Sequence, residues 1–286
     1  MEQDDQNGRL YPVEYALKEV INSYYHAYHT EGEPVVRHFS PNLEITMIFN
    51  FGTAVRGSFG STAPKDEIKQ GIFVIGPLRK MLNFELRPGA DAISINFKLN
   101  GFYRLFKIPL NELDGESIYN AERLTDQYNF AALWKELSGM SNIEARLLMI
   151  SNYVKTFMDE NDDAVQPLLS GEHYFYNPVI QPVKAIAADA QLTERTIQLR
   201  FQKYTGYSPK ELLRFLRFKT VIDKLMTEQD REVNLFEIVL DFGYHDQSHL
   251  IKDFQHFLGT TPQYFIKRLN DKEFCVAGRG LKSQGQ

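Results

Sequence analysis

From about residue 35 to 100, apolar side chains recur at every second position. Leu43, Ile45, Met47, Phe49 and Phe51 alternate with Glu44, Thr46, Ile48 and Asn50, and Ile93, Ile95, Phe97 and Leu99 alternate with Ala92, Ser94, Asn96 and Lys98. Successive strand residues point to opposite faces, so each segment predicts a strand with one buried face. The apolar run Gly71 to Pro77 predicts a third. Turn residues lie between them at Gly52, Gly57, Gly60, Pro64, Pro88-Gly89 and Asn100-Gly101, and such close spacing suggests a small barrel or double sheet. After Pro109 the period becomes helical. Ile143, Leu147, Ile150, Val154 and Phe157 form a seam that fits either a helix packed on its own barrel or a dimerising helix. The acidic run Asp159-Glu160-Asn161-Asp162-Asp163 follows as a domain boundary. Residues 164–179, with Pro167, Gly171 and Pro178, read as a linker and leading helix, and 269–286 as a flexible tail.

The C-terminal third repeats itself. Phe201, Gly206 and Pro209 recur as Phe254, Gly259 and Pro262, each 53 positions on, while Ile186 and Ala187 recur as Ile238 and Val239 at an offset of 52. Constant offsets on either side of a one-residue slip are the pattern of two helix-turn-helix units whose turns differ in length.

In the first unit Val183, Ile186, Ala187 and Ala190 form the inner face of a positioning helix, and Thr193 is the expected N-cap of the next helix. There Ile197 and Phe201 turn inward, leaving Arg195, Gln198, Leu199 and Gln202 outward. Arg and Gln are the side chains suited to bidentate contact with guanine and adenine edges. In the second unit Leu235, Ile238, Val239 and Phe242 are inner, Gly243 is the turn residue and Asp246 the N-cap. Leu250 and Phe254 point in, and Gln247, Ser248, Ile251, Lys252 and Gln255 point out. His249 is expected to be a half-buried helix histidine. Pro209 opens a linker helix running to about Met226 with Leu212, Phe215, Leu216 and Ile222 on its apolar face. Arg200, Arg214 and Arg217 are candidate phosphate contacts, the last two competing with a simple solvated role.

These residues resemble the AraC/XylS family of transcription regulators over roughly 180–268. The likeness is carried by Gly206-Tyr207-Ser208-Pro209, Leu216-Arg217-Phe218, and Gly243-Tyr244-His245-Asp246-Gln247-Ser248-His249-Leu250 through Phe254 with Gly259-Thr260-Thr261-Pro262. The N-terminal half is more loosely similar to a β-rich sensor-like domain through Ser40 to Glu44, Asn50 to Gly52 and Pro109 to Leu113. The resemblance implies a seven-helix DNA-binding domain joined to a ligand-sensing or dimerising domain, with RNA polymerase as a partner. Three positions depart from the family pattern: Gln191 stands for a turn glycine, Leu199 for an arginine, and Lys252 for an arginine.

The expected fold is therefore α+β in two domains. Residues 1–163 form a small β-barrel or cupin-like sheet with flanking helices, 164–179 the linker, and 180–268 an all-α domain with two helix-turn-helix units joined by a linker helix. Charge agrees with this division. Residues 1–179 hold 16 Lys+Arg against 24 Asp+Glu, and 180–270 hold 13 against 11, within a chain of net charge −5. An acidic module joined to a weakly basic one fits phosphate contact by the second alone.

The polar N-terminus is unlike a signal peptide, no apolar run is long enough for a membrane span, and the single cysteine, Cys275, has no internal partner. A cytoplasmic protein is expected. His26, His29 and His38 lack a metal-site pattern, so no metal, cofactor or catalytic residue is assigned. Tyr24, Tyr25, Tyr28, Phe49, Phe51, Phe73 and Phe97 fit either a barrel core or an apolar pocket. The leading reading is a non-enzymatic, sequence-specific regulator of double-stranded DNA, with a small-molecule effector and a homodimer compatible with it. Its alternatives are a cupin-like enzyme or metal-binding domain on a DNA-targeting module, and a dimerisation module that senses nothing.

Overall fold

The computed structural model describes residues 7–39, 41–42, 44–60, 66–114, 116–158, 165–177, 179–227 and 234–270. The expectations for Ser40, Leu43, Pro64, the acidic run 159–163, Pro178 and the tail beyond 270 lie outside these residues. Among the described residues ten strands precede most of the helices: β1 Gly8–Tyr11, β2 Ile21–His29, β3 Val35–Phe39, β4 Ile45–Asn50, β5 Val55–Phe59, β6 Asp66–Ile68, β7 Gly71–Ile75, β8 Leu82–Leu86, β9 Ala90–Phe97 and, after helix α1 (Gly101–Phe106), β10 Ile118–Asn120. They form a six-stranded sheet in the order β1-β2-β9-β4-β7-β10 and a four-stranded sheet in the order β3-β8-β5-β6.

The alternation in β4, β7 and β9 sets the layers. Ile45, Met47, Phe49, Ile72, Val74, Ile93, Ile95 and Phe97 pack toward the helices. From the opposite face Tyr25, Ile48, Phe73 and Ile75 meet Val55, Leu82, Phe84 and Leu86 of the smaller sheet. The expected single buried face is therefore corrected, because a second sheet covers the other side. Polar groups of β4 buried there are paired. Asn50 Nδ2 donates to the carbonyls of Ile68 and Lys69 at 2.9 and 3.0 Å, and Thr46 Oγ1 donates to Asn96 Oδ1 at 2.9 Å. Such pairing removes most of the cost of burying an amide. The aromatic set divides between these layers: Tyr24, Phe49 and Phe97 belong to the helix-facing core, and Tyr25 and Phe73 to the layer between the sheets.

The helical layer of this domain comprises α1, α2 (Ala121–Leu124), α3 (Phe130–Ser138) and α4 (Ile143–Lys155). Asn129 and Asn142 cap α3 and α4 by accepting from the amides of Ala132 and Ala145. Leu147, Ile150 and Val154 are 8%, 0% and 1% exposed within their own chain, and Tyr24 Oη lies 3.0 Å from Ser151 Oγ. Arg146 adds a tie, donating to Asp91 Oδ2 at 2.8 Å. The seam is thus consumed by the sheet, and the dimerising alternative for this helix is set aside.

The C-terminal helices are α5 (Gln166–Ser170), α6 (Pro182–Asp189), α7 (Glu194–Thr205), α8 (Pro209–Thr227), α9 (Leu235–Asp241), α10 (Gln247–Leu258) and α11 (Pro262–Asn270). The stretch read as a linker contributes to their core: Phe175 packs edge-on against Phe201 at 5.1 Å. No helix among the described residues is long and apolar enough to cross a membrane.

Replacing Leu147 and Val154 together by glutamate should unfold the protein, since each change buries an unpaired charge in a filled core. Circular dichroism should show lost structure, whereas a folded monomer in sedimentation would contradict the core assignment.

Candidate nucleic-acid interface

The repeat is realised helix by helix. α6 and α9 start 53 residues apart, α7 and α10 both start and end 53 apart, and α8 and α11 start 53 apart, whereas α6 and α9 end 52 apart. The additional residue therefore sits in the second turn.

Each second helix begins on its expected cap. Thr193 Oγ1 accepts from the amide of Thr196 at 3.1 Å, and Asp246 Oδ1 accepts from the amide of His249 at 2.9 Å. The His249 amide, with help from His245, holds the Asp246 carboxyl well below the usual carboxylate range against a small burial effect. Both helices end on glycines in the left-handed region, Gly206 at φ 75° and Gly259 at φ 68°. Between helices, Gly243 has φ 64° and Gln191 has φ 54°, so Gln191 occupies a turn conformation that favours glycine.

Ile197 and Phe201 in α7, and Leu250 and Phe254 in α10, are buried. Thr193, Arg195, Gln202 and Leu199 are exposed, the last at 48%, with Gln198 and Arg200 half-buried beside them. On α10, Gln247, Ser248, Lys252 and Gln255 are exposed and Ile251 is half-buried. Arg195, Gln198, Leu199 and Gln202 share one face of α7 and Gln247, Ser248, Ile251, Lys252 and Gln255 one face of α10, while Thr193 caps α7 and Arg200 lies about 100° around it from Leu199. His249 differs from expectation: it lies at the first turn, exposed, with Nδ1 3.1 Å from Asp246 Oδ1.

Arg214 and Arg217 also differ. Both reach Asp253 on α10, a carboxylate only 3% exposed. Arg214 Nε donates to Oδ1 at 2.7 Å, Tyr244 Oη donates to Oδ2 at 3.0 Å, and Arg217 Nη2 stands 3.8 Å from Oδ2. Arg217 also lies 4.3 Å above the Tyr244 ring and donates to the Gly243 carbonyl at 3.4 Å. The guanidinium groups tie α10 and its turn to α8 while their side chains stay 38% and 40% exposed.

The N-terminal domain grips both units. Arg79, four residues beyond the end of β7, stacks 4.5 Å over the Tyr207 ring, donates to the Gly206 carbonyl and lies 3.6 Å from Glu211 Oε1. Glu211 closes a capping box at the start of α8, accepting from the Ser208 amide at 2.8 Å while its own amide donates to Ser208 Oγ at 3.2 Å. Two residues further on, the Met81 amide donates to the Phe257 carbonyl in α10 at 2.9 Å. Tyr103 of α1 packs on Tyr204 at 4.4 Å. A Cβ on Gly206 would stand 2.5 Å from Pro77 and 3.2 Å from the Leu110 carbonyl, so this glycine answers both a helix end and a domain contact. Nothing in the periodicity pointed to Arg79 or Asp253, since their partners lie far off in sequence.

Residues 186–268 match the model of a helix-turn-helix domain family. The tandem units therefore lie within a helix-turn-helix domain. Residues 10–119 match a domain of unknown function, DUF6597. Among curated proteins, the regulatory protein HrpB of Ralstonia nicotianae is 26% identical over 85 residues, 30% of this chain, and the chain spans 18% of that relative's length. Among solved structures, ToxT from Vibrio cholerae aligns over 92% of this chain and 98% of its own at 12% identity and a TM-score of 0.40. The AraC-like transcriptional activator CuxR aligns over 75% and 80% at 10% identity and a TM-score of 0.32.

The remaining histidines of the first domain have structural partners. His26 Nε2 lies 2.9 Å from Asp91 Oδ1, His29 Nε2 lies 2.9 Å from the Glu33 carbonyl, and His38 Nδ1 lies 2.7 Å from Asn83 Oδ1. Beneath the helix-turn-helix domain, burial pushes the Glu44 carboxyl up from 4.5 to about 7, opposed by the charge of Lys219 on α8 and by a hydrogen bond from Asn22.

Two measurements follow from these geometries. Because the folded state holds the Glu44 proton more tightly than the unfolded chain, this group makes stability fall as pH rises from 4.5 to about 7 and adds no further slope above that. Thermal unfolding across that window should show a smaller decline in Glu44→Gln, and an unchanged profile would count against the buried carboxyl. Gln191→Gly should relieve left-handed strain and stabilise by about 0.5–1 kcal/mol, which calorimetry reads as a melting temperature higher by about 1–4 °C. An unaltered or lower value would show that the turn holds no such strain.

Proposed function

We propose that the protein is a transcriptional regulator that binds double-stranded DNA sequence-specifically, with α7 and α10 as its reading helices. The single observation that carries this is the duplication: two helix-turn-helix units, each with a capped second helix and a polar outward face, held by one linker helix. Such units fit successive major grooves, about 34 Å apart along the duplex. Arg195, Gln198 and Gln202, with Leu199 beside them for apolar contact, read bases through α7. Gln247, Ser248, Ile251, Lys252 and Gln255 face the DNA from α10, with Ser248 and Lys252 suited to phosphate or base and Ile251 to a thymine methyl. Thr193 and Arg200 flank the first reading face and meet the backbone. The N-terminal domain, by this reading, is a sensor whose state reaches the DNA through the segment from Pro77 to Met81, supported by its contacts to both units. A small-molecule effector, self-association through a surface other than α4, and contact with RNA polymerase complete the proposal.

Arg195→Ala in the full chain should lose about 1–3 kcal/mol on a selected site and relax preference at one or two base pairs. Binding should also weaken steeply with salt as phosphate contacts release counterions. Equal losses on selected and scrambled duplexes, measured by fluorescence anisotropy, would remove Arg195 from the base-reading set.

A further inference from the structure

We propose that His245, Asp246 and His249 form a site for a transition-metal dication of the zinc or nickel class at the leading end of α10. His245 Nδ1 lies 3.2 Å from Asp246 Oδ2, and His249 Nδ1 lies 3.1 Å from Asp246 Oδ1. The two imidazole centroids are 5.6 Å apart. One ligand atom from each of the three residues falls within 4.8 Å of the others, and rotation of the exposed imidazoles would bring them to the roughly 3.4 Å separation of tetrahedral ligands at bonds of about 2.1 Å. Two imidazoles and a carboxylate are the donor set that zinc, nickel and copper prefer over magnesium or calcium.

The cap does not compete for all of the carboxylate. Oδ1 receives the His249 amide, and an ionised carboxylate has a second oxygen and roughly four lone-pair sites in all. Oδ2 is left facing His245, whose side chain is 86% exposed and serves no cap. A capped turn needs one side chain; here a second and a third donor converge on it from either side. The sequence showed no zinc-type Cys/His spacing because one donor is the cap residue itself and another precedes the helix.

Three protein ligands leave coordination positions open to solvent. Taking the DNA-reading role proposed above, this end of α10 approaches the duplex, and a phosphate oxygen is the ligand that would complete the shell. The dication also offsets the Asp246 charge, which otherwise repels phosphate, and the helix N-terminus adds favourable partial charge.

The test uses the full chain and zinc ions alone, titrated calorimetrically without DNA. Wild type should show a site whose affinity falls by at least about tenfold in His245→Asn and in His249→Asn, with both variants folded by circular dichroism. Equal zinc binding by all three proteins overturns the site. A second arm uses a duplex selected from a random pool by the full chain in EDTA. Zinc should tighten wild-type binding to it by about tenfold or more and leave His245→Asn unchanged, the two proteins being equal in EDTA. An absent or opposite zinc effect in wild type overturns the phosphate bridge. Failure to select any duplex overturns the DNA-reading proposal instead, and the calorimetric arm still decides the metal site.

Discussion

The arrangement of the second helix-turn-helix unit depends on one buried carboxylate. Asp253 projects from the inner side of α10 and is nearly inaccessible to water, so charge and hydrogen bonds must replace the hydration it loses. Arg214 and Tyr244 supply direct bonds and Arg217 adjacent charge. The three partners come from the linker helix and from the turn ahead of α10. One acid therefore sets how the second unit is rotated about the helix leaving the first. Hydrophobic contacts such as Phe218 against Phe254 and Phe257 supply adhesion, but apolar surfaces slide more readily than a fixed set of charge-assisted bonds.

The first unit is fixed by a steric constraint. Gly206 ends α7 in a conformation open to glycine and at the same time lets Pro77 and Leu110 approach where a side chain would stand. The N-terminal domain thereby reaches the seam between α7 and α8, and Arg79 fastens it with a stacked, hydrogen-bonded guanidinium. This contact joins an acidic domain to a more basic one beside an apolar core that runs through both.

What could be read from the sequence was local. The repeat located α7 and α10 because caps, inward phenylalanines and terminal glycines are short-range signals, and Gln191 stood out against the glycine expected there. The strand alternation located β4 and β9. It missed β2, where burial recurs at about every third residue after a bulge between Ile21 and Ser23, and although the turn spacing suggested a barrel or double sheet, it did not separate the short strands of the second sheet from the first. The α4 seam looked the same for a core or a dimer, because an apolar stripe does not name its partner. Arg214 and Arg217 had the spacing of exposed helix charges, and their true partner was 39 and 36 residues away in sequence, inside the fold.

The short stretch from Pro77 to Met81 has a thermodynamic consequence. It touches the end of α7, the start of α8 and the end of α10, so a displacement of this stretch is felt by both units together. Coupling free energies between binding sites are reciprocal. If occupancy of the sheet domain changes affinity for DNA by some factor, a bound duplex must change the sheet domain's affinity for its own ligand by the same factor. Under the proposed function, the chain would then hold an effector differently on and off DNA, and the operator would itself act as an effector of the sheet domain.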